Sequence, residues 1–167
     1  TRRSSDLGTV MRFTGIAQGD SESLRDGNTI FLKALNVRFI MNNATAATHT
    51  TVRFIIFADR NTDGASPGVQ DVLETDTIIG LKNWANRSRF VVLHDRVYDN
   101  MYQNASGLTA NDLIYGHIYL KLNWICQFLG STTADADAGP GQLYGIVIGA
   151  HATDAYADRF TVTFSDQ

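Results

Sequence analysis

The sequence predicts an all-β domain, an antiparallel sandwich or barrel of about eight strands with one short helix in a connecting loop. Three observations point there. Apolar and polar residues alternate with period two, most cleanly where Phe160, Val162 and Phe164 interleave with Arg159, Thr161, Thr163 and Ser165. Turn-forming clusters separate the alternating stretches, and 130–142 (GSTTADADAGPGQ) can only be an exposed loop. Helical spacing arises once, at Val69, Val72 and Leu73, with Asp71 and Glu74 on the other side.

Taken in order, residues 1–9 carry Arg2 and Arg3 and are expected to be the end of a flexible basic arm, leaving 10–167 as a single domain. The first strand is expected over 11–18, with Met11 and Phe13 on one face and Arg12 and Thr14 on the other. A long strand follows over 29–42, where Leu35, Val37, Phe39 and Met41 oppose Asn36 and Arg38. Residues 52–58 are β-branched and aromatic throughout, which suits a strand packed on both faces. In a two-sheet sandwich, such a strand requires a second cover on its outer side, such as a neighbouring subunit. Turn formers fill 59–68, the short helix occupies 69–74, and 78–88 is a surface connection carrying Trp84. Residues 90–94 and 96–102 read as antiparallel partners across a tight turn at His94-Asp95. The next strand, 113–128, sets Ile118, Leu120, Leu122, Trp124 and Cys126 against Tyr119, Lys121 and Asn123. Strands over 143–150 and 159–165 complete the set.

Composition narrows the function. The net charge of −3 means the chain is no polycation, so any role with nucleic acid rests on local charge. The single Cys126 excludes a disulfide framework and a Cys-based zinc site. No apolar run reaches the roughly 18 residues that cross a membrane as a helix, and no membrane partner is expected. Histidines 49, 94, 117 and 151 are scattered without metal-ligand spacing, and no serine sits in a nucleophile context, so no enzyme is expected. Asp59, Asn61 and Asp63 match the first half of a calcium loop. The twelfth position, however, holds Gln70 and a strand precedes the loop. A solvated turn is the main reading there, with calcium the weaker alternative and no other cofactor expected.

The basic residues carry more information. Arg12, Lys33, Arg38, Arg53, Lys121 and Arg159 all fall within strands rather than loops. Sheet faces lined this way can meet phosphate, each cation adding affinity without sequence specificity; ordinary solvated or ion-paired strand residues are the alternative.

Six stretches in this order carry a resemblance: LKALNVRFIMNN (32–43), VRFIIFADRNTDGASPGVQDVL (52–73), NRSRFVVLHDRVY (86–98), YLKLNWICQF (119–128), LYGIVIGAHA (143–152) and RFTVTFSDQ (159–167). Together they resemble the single-jelly-roll capsid proteins of circular single-stranded DNA viruses, circovirus-like relatives akin to the satellite tobacco necrosis virus coat protein. The resemblance implies an eight-stranded antiparallel jelly-roll sandwich of two facing four-stranded sheets. It also implies self-assembly into a closed icosahedral shell of about sixty copies around the genome. The partners it implies are further copies of the chain, a viral nucleic acid (single-stranded DNA) and a host receptor. The locations are the virion and, during assembly, the host nucleus. Nucleic acid would be met chiefly by a basic arm of which only Arg2 and Arg3 are present, and then by Arg12, Lys33, Arg38, Arg53 and Lys121. Shell contacts are expected at Trp84, Tyr98 and Tyr102 and at the helix residues Val69 and Val72. The alternative is a jelly-roll module that binds carbohydrate or another ligand, stacking sugar on Trp84 or a tyrosine.

Overall fold

The computed structural model describes residues 3–4, 8–42, 50–62, 64–100, 113–149 and 155–166. The strands are β1 (Arg3–Ser4), β2 (Thr9–Arg12), β3 (Thr29–Asn42), β4 (Thr50–Asp59), β5 (Phe90–Asn100), β6 (Leu113–Gln127), β7 (Gln142–Gly149) and β8 (Ala155–Asp166). One helical turn, α1 (Val69–Val72), lies between β4 and β5. The first ladder is only two residues long, and the other seven strands have four residues or more. Two antiparallel sheets result, in the orders β1-β8-β3-β6 and β2-β7-β4-β5. The pairings β1·β8, β2·β7, β3·β6 and β4·β5 are nested, as in one long hairpin folded over on itself.

Side-chain alternation explains how the sheets face each other. In β3 the inward residues are Ile30 and Leu32 and then, after a bulge between Leu32 and Ala34, Leu35, Val37 and Phe39. The bulge shifts the phase by one residue and so keeps the apolar set on one face. Val52, Phe54, Ile56 and Ala58 of β4 close the same core from the second sheet, together with Leu143 and Val147 of β7. Phe39 stacks on Phe54 at 5.3 Å and meets the edge of Tyr98 at 4.9 Å. Gly116 makes room for it, since a Cβ there would lie 1.8 Å from Phe39 Cζ.

The opposite side of the second sheet has a core of its own. Ile55 and Phe57 of β4 and Tyr144, Ile146 and Ile148 of β7 are covered by Val69, Val72 and Leu73 from the 60–89 connection, with Phe90 beside them. The both-faced apolar character of β4 is therefore satisfied within one chain. Val69 and Val72, at 8% and 3% exposure, are inside this core, which corrects their expected place at a subunit interface.

A further expectation changes. Residues 90–100 form one strand rather than a hairpin turning at His94-Asp95. The polar pair instead follows a bulge, because Ile56 pairs with His94 and Phe57 with Val92, leaving Leu93 extra. Within residues 1–9, the expected end of an arm, the backbone of Arg3 pairs with Tyr156 and that of Thr9 with Val147. The irregular segment 13–28 is held by the fully buried Arg25, which donates to the carbonyls of Ile16, Gly27 and Gly130 and to Asn28 Oδ1. Its guanidinium lies 4.0 Å over the Phe128 ring, so a buried charge is balanced by acceptors from two loops.

Candidate nucleic-acid and assembly surfaces

Outward alternation on the β1-β8-β3-β6 sheet brings together basic residues that are far apart in sequence. Lys33 and Arg38 from β3, Lys121 from β6 and Arg159 from β8 all point outward and are exposed. Arg38 is paired with Arg159 on one side and with His117 on the other, so three basic side chains form one row across the sheet. At the described outward positions of these strands there is no Asp or Glu, although Asp20, Glu22 and Asp26 of the 13–28 segment line a depression with Thr163 and Ser165 of β8; none of the four cations forms a salt bridge among the described residues. Like charges directly opposite on antiparallel strands repel, and an acid nearby would normally offset them. His117 Nε2 lies 2.8 Å from Asn36 Oδ1, which fixes the ring beside Arg38. A shallow depression at the β3 bulge is lined by Lys33, Asn36, Tyr119, Lys121, Asn123 and Thr161.

The other basic residues expected on such a face are placed elsewhere. Arg12 pairs with Asp135 at 3.3 Å and donates to the carbonyls of Thr133 and Ala134, which ties the 130–138 loop to β2. Arg53 binds Asp95 with two nitrogens, at 2.8 and 2.7 Å, and donates to the carbonyls of Ile78 at 2.9 Å and Gly80 at 2.6 Å. That fork holds the Asp95 carboxyl below its usual pKa, against the smaller opposing effect of burial. Both arginines fasten loops to a sheet. Arg3 is paired through its backbone with Tyr156, and Arg2 lies outside the described residues.

Of the calcium-loop match, Asp59 has partners within the chain. Asp59 is fully buried, its carboxylate accepting from Arg89 Nε at 3.0 Å and Arg89 Nη2 at 2.8 Å and from the Asn61 amide at 3.0 Å. Asn61 is exposed and Asp63 lies outside the described residues.

Of the expected shell contacts, Trp84 is 68% exposed and has Arg87 over its ring at 4.4 Å. Ile79 at 86% and Leu81 at 71% are exposed on the same connection, whose other side is buried on the second sheet. Tyr98 is instead half-buried against Phe39, with its hydroxyl 3.2 Å from His94 Nε2. Tyr102 lies outside the described residues. Sequence reasoning did not single out His117, Tyr115, Ile79 or Leu81, since a cross-strand row is visible only once the register is known.

A two-sheet antiparallel sandwich with a bare cationic face and an apolar connection on its surface has the layout of a shell-forming or binding protein. The family model described as the satellite tobacco necrosis virus coat protein matches residues 2–167, and the chain belongs to that family. It is 26% identical over 170 residues to the coat protein of Satellite tobacco necrosis virus 2, covering 99% of this chain and 81% of the relative. It is 25% identical over 162 residues to the capsid protein of Satellite tobacco necrosis virus 1, covering 95% of this chain and 78% of that one. The protein is a viral capsid protein.

Proposed function

We propose that this chain is the jelly-roll subunit of a closed icosahedral shell of about sixty copies, and that its β1-β8-β3-β6 sheet faces the enclosed genome. Supporting the jelly-roll assignment is the nested pairing β1·β8, β2·β7, β3·β6 and β4·β5 distributed over two four-stranded sheets. The observation that carries the orientation is the row His117–Arg38–Arg159, three basic side chains in register across three neighbouring strands. Phosphate neutralises such a row without reading sequence, which is what enclosing a whole genome requires. Lys33 and Lys121 extend the same field. Contacts between subunits are assigned to Ile79, Leu81 and Trp84, whose exposed apolar surface suits burial against another copy. The role is structural, with no catalysis of its own and no required cofactor. A single-stranded DNA genome and assembly in the host nucleus belong to the same reading; what supports them is the circovirus-like resemblance of the six stretches alone.

The test is expression of the chain followed by negative-stain microscopy and nuclease protection. Particles that protect nucleic acid are expected, with Arg38→Glu combined with Arg159→Glu giving particles depleted of it. Undiminished packaging by the double variant would show that this sheet does not face the genome.

A further inference from the structure

We infer that Tyr115 and Tyr119 are the positions on the cationic sheet face where unpaired bases of the enclosed single strand stack. This rests on the genome-facing reading above and adds the residues that would take the bases. Both tyrosines point outward from β6, at 68% and 61% exposure, and neither hydroxyl has a hydrogen-bond partner among the described residues. β6 is the last strand of its sheet, and no described element crosses in front of its outer face.

The tyrosines flank the basic row. Along β6 the outward residues run Tyr115, His117, Tyr119, Lys121 and Asn123, successive members being separated by about 7 Å at the strand rise of roughly 3.3 Å per residue. Rings and cations thus alternate along one line, with Arg38 and Arg159 widening the cationic step to the side. A single strand presents the same alternation, a charged backbone with a flat π-face at each base. Base–aromatic stacking together with a cationic track is how sequence-tolerant single-strand binding works. A duplex can use the cations but hides its base faces in the stack, leaving both rings uncovered.

The experiment is fluorescence-anisotropy titration of the unassembled subunit with labelled oligothymidylate, an abasic oligonucleotide of equal length and a duplex of equal length, all at one salt concentration. Oligothymidylate is expected to bind most tightly. Tyr115→Leu combined with Tyr119→Leu should weaken it by roughly tenfold or more, while leaving the abasic strand and the salt slope unchanged. Tyr119→Trp guards against a folding defect, since it keeps a platform whose fluorescence should be quenched by oligothymidylate and not by the abasic strand. In closed particles, ultraviolet cross-linking of the packaged nucleic acid should capture the peptide that contains Tyr115 and Tyr119. Equal affinity for the thymidylate and abasic strands, still dependent on Arg38 and Arg159, overturns the stacking inference and leaves the genome-facing reading intact. Binding that is indifferent to all four residues overturns both.

Discussion

Arg38 and Arg159 stand directly opposite one another on neighbouring antiparallel strands, both exposed. In a free subunit that juxtaposition is a cost of about 0.2–1 kcal/mol. Arg159→Ala should therefore raise the melting temperature of nucleic-acid-free protein slightly at low salt. The gain should vanish near 1 M salt, where the screening length falls to about 3 Å. The same substitution should weaken nucleic-acid binding and lower the slope of log affinity against log salt by about one. A melting temperature that falls at low salt would mean the chain itself offsets the repulsion.

Gly116 and Phe39 form a size-matched pair across β3 and β6. A Cβ at position 116 would sit 1.8 Å from the Phe39 ring, which is held by Phe54 and Tyr98. Gly116→Ala should cost about 3 kcal/mol by overpacking. Phe39→Leu in the same chain should recover part of that loss, and urea melts of the two single variants and the double variant measure the coupling. Additive losses would show that the ring moves aside freely.

Asp59 is buried with its carboxylate on the partly exposed Arg89. Asp59→Ala leaves the guanidinium without that anion and should cost about 2–3 kcal/mol, discounted from the fully buried case because Arg89 reaches water. Melting of the parent protein should be indifferent to excess calcium or to a chelator. A calcium-dependent rise that disappears in Asp59→Ala would restore the loop as a cation site.

The Arg53–Asp95 fork gives the fold an acid limit. Hydrogen bonding from Arg53 lowers the Asp95 pKa from its ordinary 3.8, so the folded value lies below the unfolded one. Its contribution to stability is thus complete above the ordinary value and drains away as the pH falls through the folded one. Asp95→Asn should lower stability at neutral pH and flatten the dependence below about pH 4. Denaturant melts in a pH series check this; an unchanged acid slope would place the acid sensitivity elsewhere.

The two sides of the 60–89 connection should separate stability from assembly. Val72→Ala, inside the second core, should cost about 1–3 kcal/mol. Trp84→Ala, on the exposed side, should leave the subunit's melting within about 0.5 kcal/mol of the parent while reducing particle yield. Sedimentation and thermal melts of both variants decide the matter, and normal particles from Trp84→Ala would remove it from the interface.

What could be read from the sequence was whatever depends on local period and turn chemistry. The alternation of β8 and the both-faced apolar run of β4 needed no partner to be recognised. What covers β4 was another matter, because it depends on the path of a 30-residue connection that the pattern does not encode. His94-Asp95 reads as a turn because two polar residues interrupt an apolar run. In the fold they follow a bulge, and Asp95 finds Arg53 on the paired strand. Arg25 gave no signal at all, since its acceptors are mostly backbone carbonyls, which residue types do not announce. The basic face was half legible: period two put Lys33, Arg38, Lys121 and Arg159 in strands. Only the register joined Arg38 to Arg159 and His117 and sent Arg12 and Arg53 to loop anchoring.

The strand order has a consequence for the timing of synthesis. β7 lies between β2 and β4, and β8 between β1 and β3, so the two strands synthesised after the other six are interior strands of both sheets. Before they emerge, the chain can form only the ribbons β3·β6 and β4·β5, and two-stranded ribbons are marginal in water. Arg159 also arrives with β8, so the His117–Arg38–Arg159 row is completed in the same step as the sheet that carries it. A chain cut short before β7 therefore has neither a finished sandwich nor a finished charged face.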